Sequence, residues 1–206
     1  MAHSVCGTPL YMAPEVFDKH QYDSKVDIWS MGCVVYEMLV GKTAFPFRDS
    51  EDELFTKLYK QFIAENIKPV FGEELVYQKF PTFRAHFPDN VAVFAFHKDK
   101  EYNHPKEERN VYLPITDAWD TNTIWAETAE DNGDFEPIDA EYGNFVIWDG
   151  NNLKHGSKQN ETGRTRISFD FRVIPESIYK ENQSQSYSQN ISFKLGEYFS
   201  KTSNEF

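Results

Sequence analysis

Two histidines and one aspartate are spaced so that together they could bind a single metal ion. In the segment VAVFAFHKD, His97 and Asp99 lie two residues apart, so on an extended chain both side chains project from the same face. His155 lies much further along the chain, after a predicted strand and turn. Two imidazoles and one carboxylate bind iron(II) and leave three positions of an octahedral ion open. The pattern therefore predicts a metal site, although the His-x-Asp pair alone is more typical of a solvated strand end.

A candidate anion-binding pair follows the second histidine. Arg166 lies eleven residues after His155, and Ser168 follows two residues later in the segment RTRISFDF. On a strand these two side chains point the same way. A guanidinium group beside a hydroxyl can bind one carboxylate of a dicarboxylic acid, and Arg164 is the alternative on the same face. The combined pattern is a more specific signal for such a site than any of its parts alone. It consists, in this order along the chain, of His-x-Asp, the distal histidine and Arg-x-Ser.

Other charged residues near these motifs allow more than one interpretation. His104 lies five residues past Asp99, and we expect it at the rim of the site rather than among the ligands. Arg172 is expected to be a surface ion-pair partner. Arg84 and His86 could contact a substrate at the mouth of a barrel, or they could form the polar face of an edge strand.

The elements that must position these residues are mainly strands. From about Tyr77 onward, short segments with a period of two, such as RNVYLPIT, TNTIWAE and GNFVIWDG, are separated by Pro, Asn, Gly and Asp. They follow one amphipathic helix, in which apolar residues recur at helical spacing between Leu54 and Ile63 and which is expected to end near Pro69. Many short strands after one helix predict a β-sandwich or a jelly-roll barrel.

Residues 51–175 resemble 2-oxoglutarate- and iron(II)-dependent oxygenases, and more narrowly the oxygenase-like proteins of streptomycin biosynthesis. Three segments carry the resemblance: KFPTFRAHFPDNVAVFAFHKDKEYNH, NVYLPITDAWDTNTIWAE and YGNFVIWDGNNLKHGSKQNETGRTRISFDFRVIP. The resemblance implies a mainly β fold, a double-stranded β-helix of jelly-roll topology with flanking helices. It also implies that the catalytic metal ligands are His97, Asp99 and His155, and that Arg166, assisted by Ser168, binds the cosubstrate.

The same resemblance implies an activity with iron(II), 2-oxoglutarate and dioxygen. A small-molecule substrate would be oxidised, most commonly by hydroxylation, and succinate and carbon dioxide would be released. Two other functions stay open from the residues alone. The barrel could bind a ligand or a metal without redox chemistry, or the protein could be an interaction module built on its N-terminal segment.

The N-terminal segment resembles a different family, the eukaryotic protein kinases, over residues 5–47. GTPLYMAPE is similar to the end of a kinase activation segment, and DIWSMGCVVYEML is similar to the helix that follows it. From Ser24 to Val40 the segment is apolar almost all round, which is typical of a helix buried on every side. Without the rest of a kinase lobe, this helix is expected to expose a large apolar surface, and so to dock on another surface, associate or stay poorly ordered. A glycine-rich loop, a strand lysine and the HRD and DFG motifs do not accompany the segment, so we expect it to be non-catalytic.

Composition narrows the range of partners and of compartments. The chain of 206 residues has a formal net charge of -12, which disfavours nucleic acid and anionic membranes as partners and favours a neutral or cationic small molecule, or a protein. Two cysteines without a paired motif favour a reducing compartment. With no apolar leader recognised after the first methionine, we expect a cytoplasmic protein. The oligomeric state is left open.

Three regions are expected along the chain. Residues 1–48 would be an incomplete kinase-like fragment, residues 49–176 the double-stranded β-helix domain, and residues 177–206 a tail. The tail is rich in Ser, Asn and Gln and poor in apolar residues, which predicts a loose conformation.

Overall fold

A computed structural model describes residues 11, 13, 25–41, 44, 53–92, 95–181, 184–185 and 191–204. The chain divides into two compact units, Met1–Tyr59 and Lys60–Phe206. Within the described residues, no helix is both long enough and apolar enough to cross a bilayer.

The first unit contains one long helix, α1 (Lys25–Val40), where the sequence predicts it. Its Ser30, Cys33 and Glu37 lie on one face; Ser30 Oγ donates to the backbone oxygen of Tyr11, and the Tyr11 hydroxyl donates to Glu37. Within the helix only Cys33 is buried, and side chains such as Leu39, 82% exposed, face outward. The large exposed apolar surface expected of this helix is therefore present, because the contacts seen among the described residues of this unit cover only one face.

A second helical stretch precedes the strands. It consists of α2 (Glu53–Phe62), a π-helical turn (Ile63–Ile67) and α3 (Lys68–Phe71). The stretch continues slightly past the predicted end because Pro69 lies in the first turn of α3, where no backbone donor is needed. Gly72 then ends it in the left-handed conformation.

The second unit is built from nine described strands in two antiparallel sheets. The strands are β1 (Leu75–Gln78), β2 (Thr82–His86), β3 (Arg109–Pro114), β4 (Ile124–Glu127), β5 (Phe135–Pro137), β6 (Val146–Trp148), β7 (His155–Ser157), β8 (Arg166–Pro175) and β9 (Phe199–Lys201). The larger sheet has the order β6-β3-β8-β1-β9, with β2 also paired to β8, and the smaller sheet has the order β5-β4-β7. The predicted fold class, a mainly β jelly roll with flanking helices, is confirmed.

The central strand β8 separates a polar interior from an apolar exterior. Its even-numbered residues Arg166, Asp170 and Arg172 line an internal cavity. On the opposite face, Phe171 is fully buried and packs edge-on against Phe62 from the helical stretch, with ring centroids 6.5 Å apart. Phe62 thus packs on the face of β8 that points away from the cavity.

The segment NVAVFAFHKD, predicted as a strand, is not one where the structure describes it. His97 forms an isolated bridge with His155, in which each backbone N–H donates to the other residue's oxygen at 2.8 and 2.9 Å. Asp99 then opens a 3-10 turn that ends at Tyr102. The pairing with β7, which has only three residues, is limited to this one bridge among the described residues. Val93 and Phe94 lie outside the described residues.

The C-terminal segment differs from the predicted loose tail over residues 191–204. Strand β9 pairs with β1, and Phe193 and Phe199 are fully buried. Together with Tyr198 they form a core cluster with Val76 and Ile174. The loose conformation is wrong for these residues because three aromatic side chains supply enough apolar surface to hold a segment of otherwise polar composition.

Phe199→Ala should lower the free energy of unfolding by about 3–5 kcal/mol, because it removes a fully buried aromatic ring from this cluster. Urea unfolding followed by fluorescence measures the change. Leu195→Ala, at a partly exposed position of the same segment, should change it by no more than about 0.5 kcal/mol. Equal effects of the two substitutions would contradict the packing described here.

Candidate metal centre

The structure brings His97, Asp99 and His155 together, as the sequence predicts. Their possible ligand atoms all lie within 4.8 Å of one another. Asp99 Oδ1 lies 3.6 Å from Nε2 of His97 and 3.5 Å from Nε2 of His155. Although Asp99 lies on a turn and not on a strand, Lys98 has an extended backbone, so the two side chains still converge.

Both imidazoles are oriented by their own backbone. Nδ1 of His97 lies 2.9 Å from the oxygen of Ala95, and Nδ1 of His155 lies 2.9 Å from the oxygen of Leu153. A carbonyl oxygen can only accept, so each Nδ1 carries the hydrogen. In the neutral ring, Nε2 is then left with a lone pair directed at Asp99. Two lone pairs and a carboxylate oxygen facing one point are what a divalent cation requires, and the residues fit a metal.

Asp99 is ionised even though it is buried. Burial acts to raise the pKa of this carboxyl, but the charge of Arg172 and the closeness of the two imidazoles hold the pKa well below its usual range. Burial acts to lower the pKa of His97, but its bonds to Asp99 and Ala95 raise the pKa overall. The site therefore presents a negative ligand beside two imidazoles.

Two glycines allow the ligand-bearing segments to approach closely. The backbone N–H of Asp99 donates to the oxygen of Gly150, where a Cβ atom would lie only 2.6 Å from the side chain of Asn110. A Cβ atom on Gly156 would lie 2.8 Å from the ring of Phe96. Any larger residue at either position would push the segments apart, so both glycines are needed for the geometry.

Arg166 and Ser168 lie on the same side of β8, as predicted, and both are buried. Nη1 of Arg166 donates to the hydroxyl of Ser168 at 2.6 Å, and its Nε donates to the backbone oxygen of Asn122 at 3.0 Å. Arg166 borders the same cavity as the two metal-site histidines. An anion held by this guanidinium would therefore lie on the metal's side of the sheet.

The alternatives to these residues are placed elsewhere. Arg164 precedes β8 and lines a separate surface groove with Trp119 and Tyr142. His104 lies 2.8 Å from Glu108 and is not part of the metal-site group. His86 is fully buried, and its ring nitrogens meet two backbone oxygens, so its role is structural.

Arg172 corrects one expectation from the sequence. Predicted as a surface residue, it is buried, and its guanidinium donates to both Asp99 and Asp170 at 3.1 Å. Arg84, on the cavity wall, donates to the other oxygen of Asp170 at 2.5 Å. The signal for Arg172 was present in the sequence, because it continues the even-numbered face of β8 that carries Arg166.

Comparison with relatives gives two results for two parts of the chain. The streptomycin biosynthesis protein StrG of Streptomyces griseus is 41% identical over 133 residues, which are 63% of this chain and 63% of StrG. A family model for the protein kinase domain matches residues 1–93. The serine/threonine-protein kinase atg1 of Neosartorya fischeri is 42% identical over 100 residues, or 43% of this chain and 10% of the kinase.

Two parts of this chain resemble two different families. Both resemblances stated from the sequence are confirmed, and in each case the chain spans less than two thirds of the relative's length.

Solved structures similar to the chain include HygX and ThoJ. HygX from Streptomyces hygroscopicus, solved with nickel and 2-oxoglutarate bound, aligns over 89% of this chain and 91% of its own, with a TM-score of 0.46 and 11% identity. The non-heme monooxygenase ThoJ in a nickel complex aligns over 55% of this chain and 49% of its own, with a TM-score of 0.45 and 17% identity.

The β4–β5 hairpin holds both ligand-bearing segments in place. Lys98, between two of the ligands, is buried, and its amine lies 2.6 Å from Asp131 at the hairpin tip. Buried Glu127 accepts the backbone N–H of Lys154, next to His155, at 2.9 Å, and that of Gly133 at 3.1 Å. The hairpin therefore fixes the two segments to one element.

Lys98→Met should lower the midpoint of thermal unfolding by about a few degrees, because it removes the ion pair that ties the buried Lys98 side chain to Asp131 on the hairpin. Lys100→Met is the matched control, since Lys100 is exposed and pairs with Glu130 at 2.7 Å on the surface. Its midpoint should stay close to that of the unaltered protein. Scanning calorimetry measures the midpoint of thermal unfolding of each variant. Equal midpoints for the Lys98→Met and Lys100→Met variants would contradict this role of Lys98.

Proposed function

We propose that the second unit is an iron(II)- and 2-oxoglutarate-dependent dioxygenase that oxidises a small-molecule substrate by hydroxylation, with release of succinate and carbon dioxide. One observation carries the proposal. Two imidazoles and a carboxylate converge at one end of a cavity, and a buried arginine paired with a serine borders the same cavity. This donor set is typical of non-haem iron(II) oxygenases.

Each residue has a defined task in this proposal. His97 and His155 would bind the metal through Nε2, and Asp99 would bind it through Oδ1. Arg166, with the Ser168 hydroxyl beside it, would pair with the far carboxylate of 2-oxoglutarate and so direct the other end of the molecule toward the metal. When bound, iron(II) and 2-oxoglutarate supply the activation of dioxygen.

The protein also controls the surroundings of the site. The indole of Trp148 packs edge-on against the His155 ring, with centroids 4.6 Å apart, and keeps that ligand from rotating. Arg166 and Ser168 lie in the interior with almost no exposed surface, so an ion pair formed there is screened little by water.

The wider assignments belong to the same proposal. A small molecule, and neither nucleic acid nor membrane, would be the partner, in the cytoplasm. Residues 1–48 would be a kinase-like fragment without kinase activity, and the oxygenase domain would comprise residues 49–176 together with the packed segment 191–204. The resemblance to StrG, a biosynthesis protein by name, supports a small-molecule substrate.

Asp99→Ala should abolish iron binding, because two imidazoles alone bind a divalent ion weakly and Arg172 would then face the site without its partner. Metal analysis of anaerobically reconstituted protein and the rate of succinate formation measure the effect. The unaltered chain should bind about one iron per chain and convert 2-oxoglutarate. Normal succinate formation by the variant would refute the assignment.

Arg166→Met should weaken 2-oxoglutarate binding by about 100-fold while iron still binds, since a charged hydrogen bond contributes roughly 1.5–3 kcal/mol. The measurement is anaerobic titration of the iron(II) protein, followed by the visible metal-to-ligand charge-transfer band. Arg164→Met, two residues away on the surface groove, is the control and should titrate normally. A normal titration of the Arg166 variant would contradict the proposed anion site. Iron binding without any such band, in the unaltered chain, would indicate a metal-binding barrel without this chemistry.

A further inference from the structure

The second oxygen of Asp99 is held by two donors from neighbouring strands. Oδ2 accepts from Nη2 of Arg172 at 3.1 Å and from Nδ2 of Asn110 at 2.9 Å. Arg172 on β8 and Asn110 on β3 lie directly opposite each other in the register of the larger sheet. The cross-strand pair Arg172 and Asn110 therefore donates two hydrogen bonds to one carboxylate oxygen.

Both donors are themselves fixed. The other end of the Arg172 guanidinium donates to Asp170 at 3.1 Å, so the planar group is held between two carboxylates. The side-chain oxygen of Asn110 accepts the backbone N–H of Gly150 at 3.2 Å, which sets the orientation of its amide. Neither donor can turn away from Oδ2 without breaking a second buried contact.

The two oxygens of Asp99 consequently face different surroundings. Oδ1 faces the Nε2 atoms of the two imidazoles, whereas Oδ2 receives two hydrogen bonds. A carboxylate can bind a metal through one oxygen or through both. If both oxygens bound the ion, the triad would occupy four of six positions, and only two would stay open.

We propose that Arg172 and Asn110 are positioning residues that restrict Asp99 to coordination through Oδ1 and thereby keep three metal positions open for the cosubstrate and dioxygen. The inference rests on the metal role proposed above and adds two residues to it. In this role both residues act through Asp99 and are not metal ligands themselves.

The test uses cobalt(II) as a spectroscopic probe in the full chain. Arg172→Lys keeps the charge but loses the forked geometry, and Asn110→Ala removes the other donor. Each should weaken cobalt(II) binding, measured by calorimetric titration, by about 10–100-fold, as is usual when an outer partner of a metal ligand is lost. Each should also change the visible absorption of bound cobalt, because the second oxygen becomes free to coordinate. A purely structural role would not change this spectrum.

Arg109→Lys is the matched control, since Arg109 adjoins Asn110 on β3 but lies 3.8 Å from the outer residue Asp149. It should leave both the affinity and the spectrum unchanged. The inference is overturned if the two test variants melt normally and bind cobalt(II) with the affinity and spectrum of the unaltered chain. If Arg172→Lys does not fold, Asn110→Ala decides alone. Absence of cobalt binding by the unaltered chain would overturn the proposed function first, and this inference with it.

Discussion

The site depends on one buried negative charge, the carboxylate of Asp99. An ionised carboxyl taken out of water costs several kcal/mol unless it is paired and hydrogen-bonded. Arg172 and Asn110 stabilise the charge from one side, and His97 and His155 face it from the other. Because these partners come from different parts of the chain, the carboxylate ties together the 97–99 segment and strands β3, β7 and β8.

Strand β8 is the element that makes such a polar interior possible. Along one face it carries Arg166, Ser168, Asp170 and Arg172, in which positive and negative groups alternate after the serine. One oxygen of Asp170 accepts a hydrogen bond from Arg172 and the other accepts one from Arg84, so the negative charge of this carboxylate is balanced as well. The opposite face of the strand, with Phe171 and Val173, carries the apolar packing. One face of the strand therefore packs in the apolar core, and the other face lines the cavity of the candidate site.

Much of this organisation was predictable because it depends on local spacing. The period of two along RTRISFDF placed Arg166 and Ser168 on one face, and the pair His97 and Asp99 converged as expected. Three short strands, β5, β7 and β9, were missed because segments of three residues show little alternation. Arg172 was misplaced because an arginine late in a strand is usually exposed, and only the register with Asn110 and the position of Asp99 bury it.

The sequence by itself determined the donor set, its order along the chain and the mainly β architecture, because residue type and alternation are properties of short segments. The tertiary structure decided which arginine meets Asp99, that residues 191–204 complete the sheet, and that α1 leaves most of its apolar residues exposed. These outcomes depend on contacts between residues that are far apart in the chain. The pattern of a short segment does not specify which distant residues it will contact in the folded protein.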